Sequence, residues 1–181
     1  MIAIASPLGS AAFTCVMLMA GVFDLRSRRI PNALTVTGAA TALVLRAPLG
    51  WEALADGVLG LGLALVLTVP LFALNALGGG DVKLLAAVGA FLGPVELLGA
   101  CLLIALLGGV VAVLEARRRG SLRVVFLNVS YMLGRWFSPV RRELAPTLTS
   151  PDAMAIPYGV PIAAGALIWW YWGAAHLWTA N

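Results

Sequence analysis

The chain has 181 residues, of which 61% are hydrophobic and only 11% charged, with a mean hydropathy of +0.98. Soluble domains carry about 25% charged residues, so a chain this poor in charge cannot cover a globular surface, and lipid must cover much of it. The net charge of +4 and pI near 9.7 raise nucleic acid as a partner, but the placement of the charges excludes it. Eleven of the twelve Lys and Arg residues lie at 26–29, at Lys83 and at 117–142, next to hydrophobic runs or in a polar insert. No basic stripe with interleaved aromatics is present.

A membrane-spanning helix needs about 20 mostly apolar residues. In chain order the apolar runs fall at about 7–23, 33–45, 53–77, 82–92, 95–114 and 160–178. The first has no positive segment ahead of it, so it reads as a retained span and not a signal peptide. The second is short, and the fourth is too short to cross unless the turn at Gly93-Pro94 lies at the bilayer boundary. The expectation is an all-α, polytopic membrane protein of about six transmembrane helices, forming one domain over residues 1–181.

The positive-inside rule orients these spans. Arg26, Arg28 and Arg29 place the first loop in the cytoplasm, whereas the second loop, with Arg46, Glu52 and Asp56, belongs outside. Lys83 returns to the cytoplasm, Glu96 lies on the far side, and the seven arginines of the insert at about 115–155 return again. Alternation holds at every step, with both termini outside. In the insert, Leu122, Val125, Phe126, Val129, Met132, Leu133 and Trp136 recur at helical spacing, which predicts an amphipathic helix at the interface. Trp169, Trp170, Trp172 and Trp178 crowd the last span, and some should form an aromatic belt. Gly57, Gly60, Gly62 and Ala64 suit close helix packing.

Charges beside a membrane are costly and need a reason. Asp24 follows the first apolar run, and Asp81 follows Gly78-Gly79-Gly80 and precedes the fourth. By this topology both lie at the cytoplasmic boundary. Two readings stand on the residues alone. Asp81 could cap its helix, since Asp is a favoured N-cap, while Asp24 pairs with Arg26, Arg28 or Arg29. Alternatively, the two carboxyls share a proton and divide the roles of base on water and acid on a carbonyl. The glycines before Asp81 offer backbone conformations closed to other residues.

The stretch from Phe23 to Asn32, with Asp24 followed six residues later by Ile30-Pro31-Asn32, resembles the first motif of the type IV prepilin peptidase family. Gly78-Gly79-Gly80-Asp81-Val82-Lys83 resembles the GxGD signature of intramembrane aspartic peptidases. Ile156-Pro157-Tyr158-Gly159 resembles the Pro-aromatic-Gly segment that opens the last span in that family. The resemblance covers about residues 13–167.

It implies that Asp24 and Asp81 are the catalytic pair. Ile30, Pro31, Asn32, Gly78, Gly80, Lys83, Pro157 and Gly159 are then motif or substrate-binding positions. The implied reaction is removal of a charged leader from a prepilin or pseudopilin precursor at the cytoplasmic face of a bacterial inner membrane. Membrane lipids are the further implied partner.

The larger relatives carry a two-CxxC insert and an N-methylating activity. Cys15 and Cys101 cannot serve one, so methylation is expected to be absent, as in the compact peptidases of Flp or tight-adherence pili and archaeal preflagellins. With one His, His176, and no Cys cluster, neither metal nor cofactor is expected. Lys83 reads equally as a contact to substrate or lipid phosphate and as a snorkelling side chain, and Asn75 as a bond within the bundle. A small transporter or channel subunit, or an inert pilus-assembly component, are the rival readings. Finally, the helix dipole predicts different roles for the acids. Asp24 at a helix C-terminus should hold the proton and Asp81 at an N-terminus should act as base, an effect of about 0.3–2 kcal/mol.

Overall fold

The computed structural model describes residues 6–74, 77–118 and 158–179, with side chains for all of these but 116 and 173–179. Every regular element among them is helical. In chain order these are α1 (Pro7–Ser27), α2 (Asn32–Arg46), a 3₁₀ turn (Ala47–Leu49), α3 (Trp51–Ala73), α4 (Gly79–Leu92), α5 (Pro94–Arg118) and α6 (Gly159–Thr179). The six match the six apolar runs of the sequence within a few residues. Three stretches are long and apolar enough to cross a membrane, Pro7–Ser27, Trp51–Ala73 and Pro94–Glu115. The chain is a polytopic helical membrane protein. Asn75, and the amphipathic helix expected within the insert, lie outside the described residues.

The shortest α-helix, α4, is the hub. At about 1.5 Å per residue its 14 residues reach only about 21 Å. It packs against α2, α3, α5 and α6, and from Val82 to Leu92 every side chain but Lys83 is buried. Small residues let α3 come close. A methyl group built on Gly60 would collide with the Gly89 carbonyl oxygen, and one built on Gly89 with that of Gly60. Gly57 and Ala64 are buried on the same face, but Gly62 has nothing near it and plays no part in this packing.

At the end of α4 away from Asp81, the chain turns into α5 through Gly93 alone, at φ 81°, a left-handed conformation that favours glycine. Arg46 closes this end. Sequence placed it in an outer loop, yet its side chain is fully buried. It donates to the terminal carbonyls of α4, Ala90 (2.9 Å) and Phe91 (2.8 Å), to Ala53 O (2.9 Å), and to Asp56 Oδ2 (2.8 Å). A cation here also opposes the negative end of the α4 dipole.

Nearby, Phe13 stacks on Trp170 with ring centroids 4.5 Å apart, and Phe91 meets both rings edge-on at 5.1 and 6.1 Å. Trp170 is fully buried and donates to Ser10 Oγ, so it is a core residue and not part of a belt. Trp169 bonds Glu96 Oε2, whereas Trp172 is 65% exposed, as a belt residue would be. The side chains of His176 and Trp178 lie outside the described residues.

Arg46→Met keeps the bulk and removes every donor, so it should destabilise the protein by about 3 kcal/mol. Asp56→Asn should cost much less, because three of the four acceptors of Arg46 remain and Asp56 is partly exposed. Thermal unfolding of both variants in detergent checks this. Equal losses would mean that the ion pair, and not the carbonyl clamp, carries the stability.

Candidate active site

The first part of the site is the turn from α1 to α2. Asp24 lies in the last turn of α1 and is buried, at 5% exposure. The helix stops at Arg28, whose backbone enters the left-handed region (φ 51°, ψ 29°) while its N–H bonds Asp24 O at 2.9 Å. This is an αL stop made without glycine. The reversal brings Ile30 inward, to 8% exposure. Pro31 stands at the N-cap of α2, where its carbonyl accepts from Leu34 and Thr35 N–H. Asn32 is the first residue of α2.

The second part is the start of α4. Gly78 is the N-cap and Asp81 the third residue of the helix, so the capping role read from sequence falls on Gly78. The Asp81 carboxyl reaches back to the Gly78 N–H, as the acidic member of a capping box does. Gly78, Gly79 and Gly80 are not among the residues with positive φ, so conformational freedom does not explain them. At Gly78 crowding does, since a Cβ there would lie 3.0 Å from Asp81 Oδ2, whereas one on Gly79 or Gly80 would make ordinary contact, at 3.4 Å, with the Phe72 ring or Ile30 Cβ. The first two parts are joined directly, since Lys83 Nζ donates to Asn32 Oδ1 at 2.8 Å. That bond gives Lys83 a protein partner where sequence offered only substrate, lipid or solvent.

The third part is the start of α6. The backbone N–H groups of Gly159 and Val160 point at the Asp24 carboxyl. A Cβ on Gly159 would lie 2.8 Å from Asp24 Cγ and Oδ2, so only glycine permits this approach. Asp24 Oδ2 is buried with no hydrogen-bond partner among the described residues. Tyr158 packs its ring over Gly108 of α5, which a Cβ there would meet at 3.6 Å. Burial, with the charge of nearby Asp81, pushes the Tyr158 hydroxyl above its usual range and keeps it neutral. Asp81 in turn lies near enough to Asp24 to feel its charge.

The structure thus gathers Asp24, Ile30, Asn32, Gly78, Gly80, Asp81, Lys83 and Gly159 at one end of the bundle. Pro31 shapes the turn there, and Pro157 lies outside the described residues. Both acids occupy terminal turns, as expected. The dipole expectation for Asp24 nevertheless needs correction, because it considered α1 alone. The N-terminus of α6 also faces this carboxyl and acts in the opposite sense. Spacing along the sequence carries no signal for a contact between residues 135 positions apart.

Fold and site together define a helical membrane protein with two carboxyl groups brought to one end of its bundle. The model of the type IV leader peptidase family matches residues 11–113, over half the chain, including both acids and the stretches around Ile30-Pro31-Asn32 and Gly78–Lys83. The chain belongs to the type IV leader peptidase family, and membership indicates a peptidase. No curated protein and no solved structure matches it.

If the Lys83–Asn32 bond holds the two acid-bearing segments in register, Lys83→Met and Asn32→Ala should each reduce turnover by about two- to tenfold. The double variant should be no worse than the more severe single one, because both remove the same bond. Multiplying losses in peptidase assays at matched protein levels would show that the two side chains act separately.

Proposed function

We propose that the protein is an aspartic endopeptidase in which Asp24 and Asp81 act as a pair, removing the leader of a prepilin-like or pseudopilin-like precursor. The observation that carries this reading is the meeting of these two acids at one end of the bundle, within the segment that matches the family. Two carboxyls in mutual reach hold one proton between them. The charged one takes a proton from water as its oxygen attacks the scissile carbonyl carbon. The protonated one donates to the carbonyl oxygen. Collapse of the diol breaks the C–N bond and delivers a proton to the departing amine. Cys15 and Cys101 form no CxxC pair, which favours a peptidase that does not methylate its product.

The arginines flanking Asp24 and those of the insert favour the cytoplasmic face of a bacterial inner membrane for this end of the bundle. There the substrate's apolar helix would lie in the bilayer with its leader junction at the acid pair. The exposed Arg26, Arg28 and Arg29 would meet anionic lipid head groups.

Asp24→Asn and Asp81→Asn should each abolish leader removal, at least about 100-fold, while the protein still inserts and folds. Purified protein mixed with a prepilin and followed by gel mobility checks this. Substantial cleavage by either variant would remove that residue from the mechanism, and no cleavage by the parent protein of any prepilin would remove the substrate class.

A further inference from the structure

A helix N-terminus presents N–H groups without partners in its own helix and carries a partial positive charge. The one on α6 is aimed at Asp24, which belongs to a different helix and is 95% buried, given its 5% exposure. The approach is so close that position 159 has no room for a side chain. Other charged or titratable groups face the pair from every side. These are Arg28 at the end of α1, Asp81 on α4 and Tyr158 ahead of α6, with Lys83 held by Asn32 of α2. Of these, Asp81 opposes a charge on Asp24, while Arg28 supports one. The amides of Gly159 and Val160 are fixed by the helix and cannot turn away.

We infer that the first turn of α6 is a positioning element of the catalytic pair, which fixes the Asp24 carboxylate and makes Asp24 the charged member, leaving the shared proton on Asp81. The inference rests on the proposed peptidase reading and deepens it. It makes Asp24 the base toward water and Asp81 the acid toward the carbonyl oxygen, the reverse of what the two parent helices alone would give.

Two variants disturb this contact, one by adding a carbon and leaving both donors in place, the other by also removing a donor. Gly159→Ala places a methyl group against the Asp24 carboxyl. Val160→Pro removes one N–H in a first helical turn, where proline is well accepted, and sets its ring Cδ in place of the hydrogen that faced Asp24. The pH profile of leader cleavage by each purified variant is compared with that of the parent protein. Both should move the acid limb to higher pH, Val160→Pro by about half a unit to one unit, a three- to tenfold change in ionisation. The alkaline limb should hold its place. A merely structural role would lower the amount of active enzyme without moving either limb.

Infrared titration of the carboxyl groups supplies a readout that needs no substrate. Of the two carboxylate signals that Asp24→Asn and Asp81→Asn remove, the one lost in Asp24→Asn should appear at the lower pH in the parent protein and at higher pH in Val160→Pro. Unmoved acid limbs in both variants, or a signal lost in Asp81→Asn that appears before the one lost in Asp24→Asn, would overturn the inference. If the parent protein cleaves no prepilin while the infrared result holds, the substrate reading fails and the α6 inference stands.

Discussion

Inside a bilayer no water is available to bond the bare N–H and C=O groups at a helix end, so a helix that stops among other helices must find its partners in protein. This constraint governs the fold. The hub helix α4 is too short to carry both ends to water and is buried along most of its length. Its C-terminal carbonyls are met by Arg46, brought in from the end of α2. Its N-terminus is met by its own Asp81, and the N-terminus of α6 by Asp24 from α1. At the first of these ends the partner is a guanidinium, and at the other two it is a carboxyl group.

The same constraint ties structure to the proposed chemistry. A carboxyl group that satisfies a buried helix start is desolvated, directed and unable to swing into solvent, and a general base or acid needs all three. Two such groups at neighbouring helix starts bring a pair of acids near enough for the charge of one to act on the other. A long ligating loop is unnecessary. The glycines follow from this. Gly159 and Gly78 each stand where a side chain would press on one of the acids. They bring backbone up to carboxyl.

Much of this was legible in the sequence. Hydrophobic runs gave six helices with nearly correct limits because each helix, whether it faces lipid or protein, is apolar along most of its length. The two acids stood out because a charge at the edge of such a run is rare. What escaped prediction depends on which helices meet. Arg46 looked like a loop charge because nothing local shows that α4 ends beside it. Which of the tryptophans of the last span would face lipid was not legible, because the burial of Trp170 depends on Phe13 and Phe91, far away in the chain. Asp24 was judged by its own helix dipole, whereas a helix that starts 135 residues later faces its carboxyl. Gly78–Gly80 suggested backbone conformations closed to other residues, but none of the three has a positive φ, and at Gly78 it is Asp81 that leaves little room for a side chain. Composition and period report on the environment of one segment, and these features belong to pairs of segments.

The central claim is that Asp24 and Asp81 form one catalytic unit at the end of the bundle. The most direct measurement is binding of a leader-junction peptide in which the scissile amide is replaced by a secondary alcohol, a mimic of the tetrahedral diol that does not require turnover. The purified parent protein should bind it at least about 100-fold more tightly than the unmodified peptide. Asp24→Asn and Asp81→Asn should each lose that advantage while still binding the unmodified peptide. If both variants retain the full preference for the alcohol, the two acids do not act together on the scissile bond and the account is wrong.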